Sequence, residues 1–421
     1  MRIGSFKHRT TCRFCQSTDL VNFLDLGNMP HAGDFLKKEQ VGREKYYPLK
    51  VWFCKKCALV QILDIIPPST LFKDYRYLSS VSLKEHFANY AKEMKSKYLS
   101  KNAFIVEIGS NDGVLLLPLK QMGFSVLGVD PSKNVGGVAR SKGVDTLTDF
   151  FGIKSASRIK VKHGQADAIF ANNVLAHIDD MQDVFEGIKL LLRKDGILVF
   201  EVHHLLNLIQ TNQYDFIYTE HLNYYSVHSL ISFLKRYDME IFKIKKTKIH
   251  SGSIRVYVKF ASNSSYKVDK SIKEIICEED LNKLDKLSTF QVFSKNVTKH
   301  KSKFVEFISK LRLGNKKIVG YGASGRANTL LNYCGIDTNT LSYIVDESPE
   351  RYGRFTPGTH IPIVPPEYFR KDNPDYAIIL AWNYTKDIIS KEKKYLVNGG
   401  TFVSVFSEVG LLDAKVNENT F

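Results

Sequence analysis

The sequence predicts an α/β chain in three parts: a small cysteine-rich zinc-binding unit, a central Rossmann-like domain and a second, C-terminal Rossmann-like domain. Three observations carry this. Two Cys-x-x-Cys pairs, Cys12/Cys15 and Cys54/Cys57, fall early in the chain. AFIVEIGSNDG, residues 103–113, reads as a buried parallel strand that turns through glycine into a helix. KKIVGYGASGRANTLL, residues 316–331, repeats that pattern. Composition and element order divide the chain at 1–72, 73–261 and 262–421.

The length, 421 residues, supports a separate core in each part. The formal net charge of +16 comes mostly from scattered lysines, with no arginine-rich tail and no block of five like charges. That pattern makes a solvated basic surface that attracts small anions, and no nucleic-acid partner is expected. No apolar run approaches the ~18 residues of a membrane span, and MRIGSFKHRT lacks the apolar core of a signal peptide. A cytoplasmic monomer with no membrane partner is expected.

Six cysteines, four of them in two close pairs, suit metal binding better than a disulfide framework. Cys12, Cys15, Cys54 and Cys57 can close a tetrahedral four-thiolate shell around zinc, which leaves no open position for substrate and makes the ion structural. The long gap between the pairs carries strand-like LVNFLDLG, which can return the chain. Cys277 and Cys334 read as packed thiols. Beyond Pro67-Pro68, Tyr75 and Tyr77 are either core aromatics or the lining of a pocket, and an amphipathic stretch from Leu83 to Leu99 reads as a helix.

In the central part, SVLGVD is a second strand ending at Asp130, 23 residues after Glu107, near the spacing at which an acidic residue holds ribose hydroxyls. Pro131 follows it. DTLT is a third strand, and Asp149 with Phe150 is placed to flank an adenine. ADAIFANNVLAHI is a fourth strand with Asn172, Asn173 and His177 at its carboxyl end, where open α/β sheets bind ligands. Lys194-Asp195-Gly196 reads as a turn into a fifth strand, and MEIFKIKKT and SIRVYVKF supply an antiparallel tail.

The loop Gly109-Ser110-Asn111-Asp112-Gly113 lacks the three-glycine spacing that admits a pyrophosphate, and acidic Glu107 is a poor neighbour for one. Its polar side chains suit a ligand with an amino-acid end, ribose and adenine, which is S-adenosylmethionine. After the fifth strand, Tyr218, Glu220 and His221 fall within four residues. They have the parts for abstracting a proton next to a carbonyl: the imidazole takes it, the carboxylate holds or polarises the imidazole, and the phenol donates to the enolate oxygen. A histidine packed in a tyrosine-rich loop is the competing reading.

The C-terminal part satisfies G-x-G-x-x-G at Gly320, Gly322 and Gly325, with Asp346 24 residues after Gly322. On pattern alone this is a nicotinamide cofactor site, and a dehydrogenase competes with a methyltransferase. Preceding it, Leu281, Leu284 and Leu287 are spaced for packing on a charged helical stretch, and Trp382-Asn383 follows a later strand at its ligand edge.

The ordered set CRFC, FCKKC, EIGSNDG, GVDPS, YTEH, HSGSIRVY, GYGAS and VDESPERYGRFTPGTHIPI resembles the zinc-containing sugar C-methyltransferases of deoxysugar biosynthesis over essentially the whole chain. The resemblance implies S-adenosylmethionine-dependent methylation at C-3 of a nucleotide-diphosphate-linked 4-keto sugar. It implies His221 as the base within Tyr218-Thr219-Glu220-His221, with Tyr77 (Tyr75 as the alternative) and His177 as further catalytic residues. It assigns the second glycine loop to the acceptor's pyrophosphate, and the expected substrate-binding residues are Tyr75, Asn173, Gly322, Ser324, Arg326 and Arg354. Family members often read Thr-Lys-Gly-Asn where this chain has Gly325-Arg326-Ala327-Asn328, so the positive charge is kept by Arg326. An O- or N-methyltransferase acting on a nucleotide sugar is the alternative that needs no enolate.

Overall fold

The computed structural model describes residues 2–72, 75, 77–406 and 409–412, with all side chains there except those of Ser80 and Ser82. Its centre is a seven-stranded sheet. Thr146–Leu147, Ser125–Val129, Phe104–Ile108, Ala166–Asn172 and Leu192–His203 run parallel in that spatial order. Ser253–Phe260 joins Leu192–His203 antiparallel, and Met239–Thr247 closes the edge. The five parallel strands are apolar through their middles because helices cover both faces, and the ligand edge is therefore where polar residues cluster. Phe170 pairs with Glu107 and Asn172 with Glu201, which brings the strand tips level.

Two local readings change. Lys194-Asp195-Gly196 is a bulge inside the strand Leu192–His203 and makes no separate turn, since Ala166 pairs with Leu192 and Ala168 already with Ile197. A Cβ on Gly196 would lie 2.8 Å from the Asp167 carbonyl oxygen, so the bulge closes too tightly for a side chain. The helix Leu116–Gln121 starts later than the glycine turn suggests, after two turn residues.

Helix Met181–Leu191 crosses the start of helix Ile153–His163 at Gly187, where an added Cβ would stand 2.8 Å from the Gly152 carbonyl carbon and 3.1 Å from the Ile153 nitrogen. Backbone cannot yield as a side chain can. Gly187→Ala is therefore expected to lower stability by about 1–3 kcal/mol, seen as a lower urea midpoint at unchanged m-value.

The C-terminal sheet is a second parallel array, ordered Ile363–Val364, Ile344–Val345, Ile318–Tyr321, Tyr376–Ile379, Thr401–Ser404, with Gly410–Leu412 antiparallel at its edge. Helices Ser271–Leu281 and Leu287–Arg312 lead into it. Leu281 is 77% exposed while Leu284 is buried, because the first helix ends at Leu281 and the chain turns before the second begins. Cys277 likewise faces solvent on that first helix, so only Cys334 is a packed thiol.

The N-terminal part is built on a bulged antiparallel pair, Leu20–Pro30 with Lys45–Cys54, extended by Val60–Ile62. Its next strand, Asn223–Tyr224, comes from the central domain and begins two residues after His221. One core cluster joins Leu24, Val51 and Phe53 of this part to Phe290 and Leu330 of the C-terminal part, and another joins Cys12 and Phe14 to Phe185 and Phe233 of the central part. The zinc-binding unit is thus a wedge packed on both other domains, and the three-part α/β plan read from the sequence holds.

Candidate active site

A cavity of about 1780 Å³ lies where the three parts meet. Its floor is the ligand edge of the central sheet. Gly109 has φ +66° and a Cβ there would sit 2.6 Å from Val174 Cγ2, so the turn closes only with glycine. The Asn111 amide donates to Asp130 Oδ2 and the Ser132 amide to Asp130 Oδ1, both at 2.9 Å, which holds the second-strand carboxylate over the loop. Asn111 also ties in the preceding tyrosine segment: its Nδ2 donates to the Tyr77 carbonyl at 2.9 Å, and its Oδ1 accepts from the Ser79 amide at 3.2 Å.

Glu107, Gly109, Ser110, Asn111, Asp130, Pro131, Phe150 and Asn172 all line the cavity. Among the described residues, Glu107 Oε2, Ser110 Oγ and Asn172 Oδ1 are buried polar atoms without a protein partner. Burial pushes the Glu107 carboxyl up to about 8 despite the hydrogen bond from Asn172 Nδ2, with Asp130 and Asp112 adding to the rise. An uncompensated acid beside two orphaned acceptors fits a ligand that brings a cationic amino-acid end.

Two expected cofactor residues stand elsewhere. Asp149 is not on the cavity but pairs with Arg158, which reaches it from the next helix. Gly113, with φ +76°, shapes the back of the turn against Val144.

Tyr75, Tyr77, His177, Tyr218, Glu220 and His221 line the same cavity. His221 Nδ1 lies 3.1 Å from the Phe216 carbonyl, which can only accept, so Nδ1 carries the proton and Nε2 offers its lone pair. The Tyr218 hydroxyl donates to that Nε2 at 2.6 Å. Burial, reinforced by the neighbouring His177, holds His221 well below the usual histidine range, so it is neutral at neutral pH. His177 donates from Nδ1 to the Glu220 carbonyl at 3.0 Å, and its ring centre lies 4.9 Å from that of His221.

The Glu220 carboxylate does not hold His221, as the sequence pattern suggested. It pairs with His31 of the zinc-binding unit, Nε2 to Oε1 2.6 Å, because the loop turns its side chain toward that unit while the Phe216 carbonyl takes His221.

The third wall is the C-terminal glycine loop. Gly322, Ser324, Arg326 and Arg354 line the cavity, as does Asn173. Gly322 is at φ +97°, and a Cβ would meet Ala381 Cβ at 2.3 Å. Arg326 is not free to hold an anion with its fork. Nε and one Nη bind Asp215 at 2.9 and 3.1 Å, since that carboxylate is only 2% exposed and needs a charged partner. Trp382 Nε1 donates to the same Asp215 at 2.9 Å, and Asn383 lines the cavity. Asp346 repeats the Asp130 geometry, accepting from the Ala323 and Ser348 amides at 2.8 Å, and Arg351 adds an ion pair at 3.0 Å. Gly325 abuts Ala32, and Asn328 Nδ2 donates to the Ala32 carbonyl at 2.6 Å, so the first turn of this helix is covered by the zinc-binding unit.

Within that unit the four Sγ atoms of Cys12, Cys15, Cys54 and Cys57 all lie within 4.8 Å of one another, with Cys12–Cys57 and Cys15–Cys54 at 3.5 Å. A tetrahedron of Zn–S bonds separates its sulfurs by about 3.8 Å. The cluster fits zinc.

Comparison with known proteins bears on all three parts. A zinc-binding-domain model matches residues 12–72, a methyltransferase-domain model 76–244 and a model of the C-methyltransferase C-terminal domain 248–406. The chain is 32% identical to the C-methyltransferase NovU of Streptomyces niveus over 408 residues, 96% of this chain and 97% of that protein. The chain belongs to this C-methyltransferase family. Among solved structures, magnesium protoporphyrin IX methyltransferase ChlM of Synechocystis PCC 6803 with bound SAM aligns with TM-score 0.33 at 14% identity, over 42% of this chain and 79% of that one. The CcbJ methyltransferase of Streptomyces caelestis aligns with TM-score 0.34 at 13% identity, over 41% and 89%.

S-adenosylmethionine and zinc are accordingly the cofactors of this C-methyltransferase. Among the described residues no helix is long and apolar enough to cross a membrane. Sequence reasoning missed His31, Asp215 and Arg13. His31 and Asp215 belong to no spaced motif, and Arg13 was hidden between two cysteines. Arg13 is fully buried, donating to the Ile62 carbonyl, to Asp179 at 3.0 Å and to the Leu222 carbonyl at 3.5 Å.

Proposed function

We propose that this C-methyltransferase alkylates C-3 of a nucleotide-diphosphate-linked 4-keto sugar, with His221 as the base. One observation carries the reading: a neutral imidazole with a fixed tautomer, its Nε2 lone pair hydrogen bonded to a phenol, opens on the same cavity as the S-adenosylmethionine loop. The 4-keto group acidifies hydrogens on the adjacent carbons. With the Tyr218 hydroxyl turned from Nε2 to the ketone oxygen, the freed Nε2 lone pair of His221 takes the C-3 proton, while Tyr218, or Tyr77 in its place, donates to the enolate oxygen as charge develops there. Glu107–Asn111 and Asp130 would hold S-adenosylmethionine, which when bound would supply the electrophilic methyl. Gly322, Ser324 and Arg354 stand on the diphosphate side, where Arg43 and Lys45 add positive charge to the cavity lining. Arg326 serves that wall by anchoring Asp215 and with it the loop that carries the base.

The test is incubation with S-adenosylmethionine and a panel of TDP-, GDP- and CDP-linked 4-keto sugars in deuterated solvent. Mass spectrometry should show gain of one methyl, and NMR should show exchange at C-3. Methyl gain without carbon exchange would make the enzyme an O- or N-methyltransferase. Exchange at C-5, the other carbon beside the ketone, would move the reaction to that atom.

A further inference from the structure

Among the described residues, His31 is the one imidazole that the zinc-binding unit gives to the cavity wall, and its side chain meets Glu220 at 2.6 Å. It follows Pro30, the last residue of strand Leu20–Pro30, and precedes Ala32, whose carbonyl is held by Asn328 of the C-terminal domain. Gly33 presses on the same carboxylate: a Cβ there would be 3.1 Å from Glu220 Oε1. The side chains of His31 and Glu220 are 22% and 8% exposed, so water screens the pair poorly.

We propose that His31 is a positioning residue for the methyl transfer: by occupying the Glu220 carboxylate and offsetting its charge, it keeps that charge from falling on His177, so that the imidazole pair His177–His221 stays neutral. This rests on the reading of His221 as the base.

Among the described residues, the groups facing Glu220 are His31, His177, Tyr75 and Tyr218. Asp34 faces His31 from behind, and His177 faces Glu220 and His221, with the apolar ring of Phe72 on another side. Arg9 and Arg13, beyond His177, are taken up by Asp179. Among the described residues, the cation that can form against Glu220 without His31 is therefore His177. In the intact pair, burial works against both charges, yet the mutual attraction wins: His31 is held above the usual histidine range and Glu220 below the usual carboxylate range. His177 is lowered, chiefly by burial and only partly offset by Glu220.

The experiment is an NMR titration of histidine-labelled, zinc-loaded protein without substrate, following the C2–H resonance of His177. In the native chain its midpoint should lie below the usual histidine value. In His31→Ala it should rise by about one pH unit, as expected for an imidazole beside an uncompensated carboxylate. His31→Gln keeps a hydrogen-bond donor of similar size but no charge, so it should show nearly the same rise if charge is the cause, and none if His31 only fills space. It also guards against a misfolded alanine variant. Adding Glu220→Gln to either variant should return the midpoint to the native value or below. A His177 midpoint that stays within about 0.2 units of native in both single variants overturns the inference. If the midpoint moves while no nucleotide-linked keto sugar is methylated, the acceptor reading falls and the role of His31 in the charge balance stands. If the sugar is methylated and the midpoint is unmoved, the reverse holds.

Discussion

His221→Asn is expected to lower methyl transfer by about 10²–10⁴-fold, the usual contribution of a positioned general base, while the dissociation constant for S-adenosylmethionine changes less than about twofold. The separation follows from the geometry. The proposed cofactor loop, Gly109 and Asn111 with Asp130, lies on one edge of the sheet, and His221 is held separately by the Phe216 carbonyl. Deuterium exchange at the acceptor carbon should fall with methyl transfer, because both need the same proton removed. Loss of transfer with exchange intact would mean that another group removes the proton.

The pH profile offers a second check on the same residue. Only the neutral imidazole accepts a proton, and burial with His177 nearby holds the His221 pKa well below 6.5. A group depressed in this way is fully deprotonated at neutral pH, and its active form is lost only as pH falls through the lowered value. The acid limb of kcat/KM should therefore lie well under pH 6.5. A limb at or above that value would assign the base to a less buried group.

How much of this was legible in the sequence depends on the reach of each interaction. The turn at Gly109, the strand tip at Asp130 and the cysteine pairs are local patterns, and each reappears in the fold where its spacing put it. Tyr218, Glu220 and His221 were found as a cluster, but the partner of Glu220 was not. His31 lies 189 residues away, and no local pattern marks a contact that exists only once two domains are packed. Arg326 shows the same limit from the other side. It reads as a free cation beside a glycine loop, yet Asp215, 111 residues before it, occupies its fork. Asp149 failed for a nearer reason: Arg158 on the following helix draws the carboxylate to the surface. Charge in a sequence announces that a partner is needed, without saying which partner arrives first.

Removing the zinc is expected to abolish methyl transfer although no cysteine touches the cavity. The ion closes the knuckle Cys12-Arg13-Phe14-Cys15, and that knuckle supports the catalytic wall directly. Arg13 donates to the Leu222 carbonyl, one residue after the proposed base His221, and to Asp179, two residues after His177. Phe14 stacks on Phe233 at 4.0 Å, and the strand Val60–Ile62, just past Cys57, pairs with Asn223–Tyr224. In isolated zinc-finger peptides such a site is worth about 10–16 kcal/mol at pH 7, more than the stability of most single domains. Chelation under mild conditions, or Cys12→Ser, should therefore release the N-terminal unit, free the loop around His221 and cut transfer at least 100-fold, the scale of a lost general base. S-adenosylmethionine should still bind, because the Glu107–Asn111 loop and Asp130 belong to the central sheet alone. Zinc release measured with a colorimetric chelator, set beside calorimetric binding of S-adenosylmethionine, separates the two effects. Full activity in zinc-free protein would show that Arg13 holds the wall unaided. Loss of cofactor binding together with activity would show that the central domain depends on the wedge packed against it.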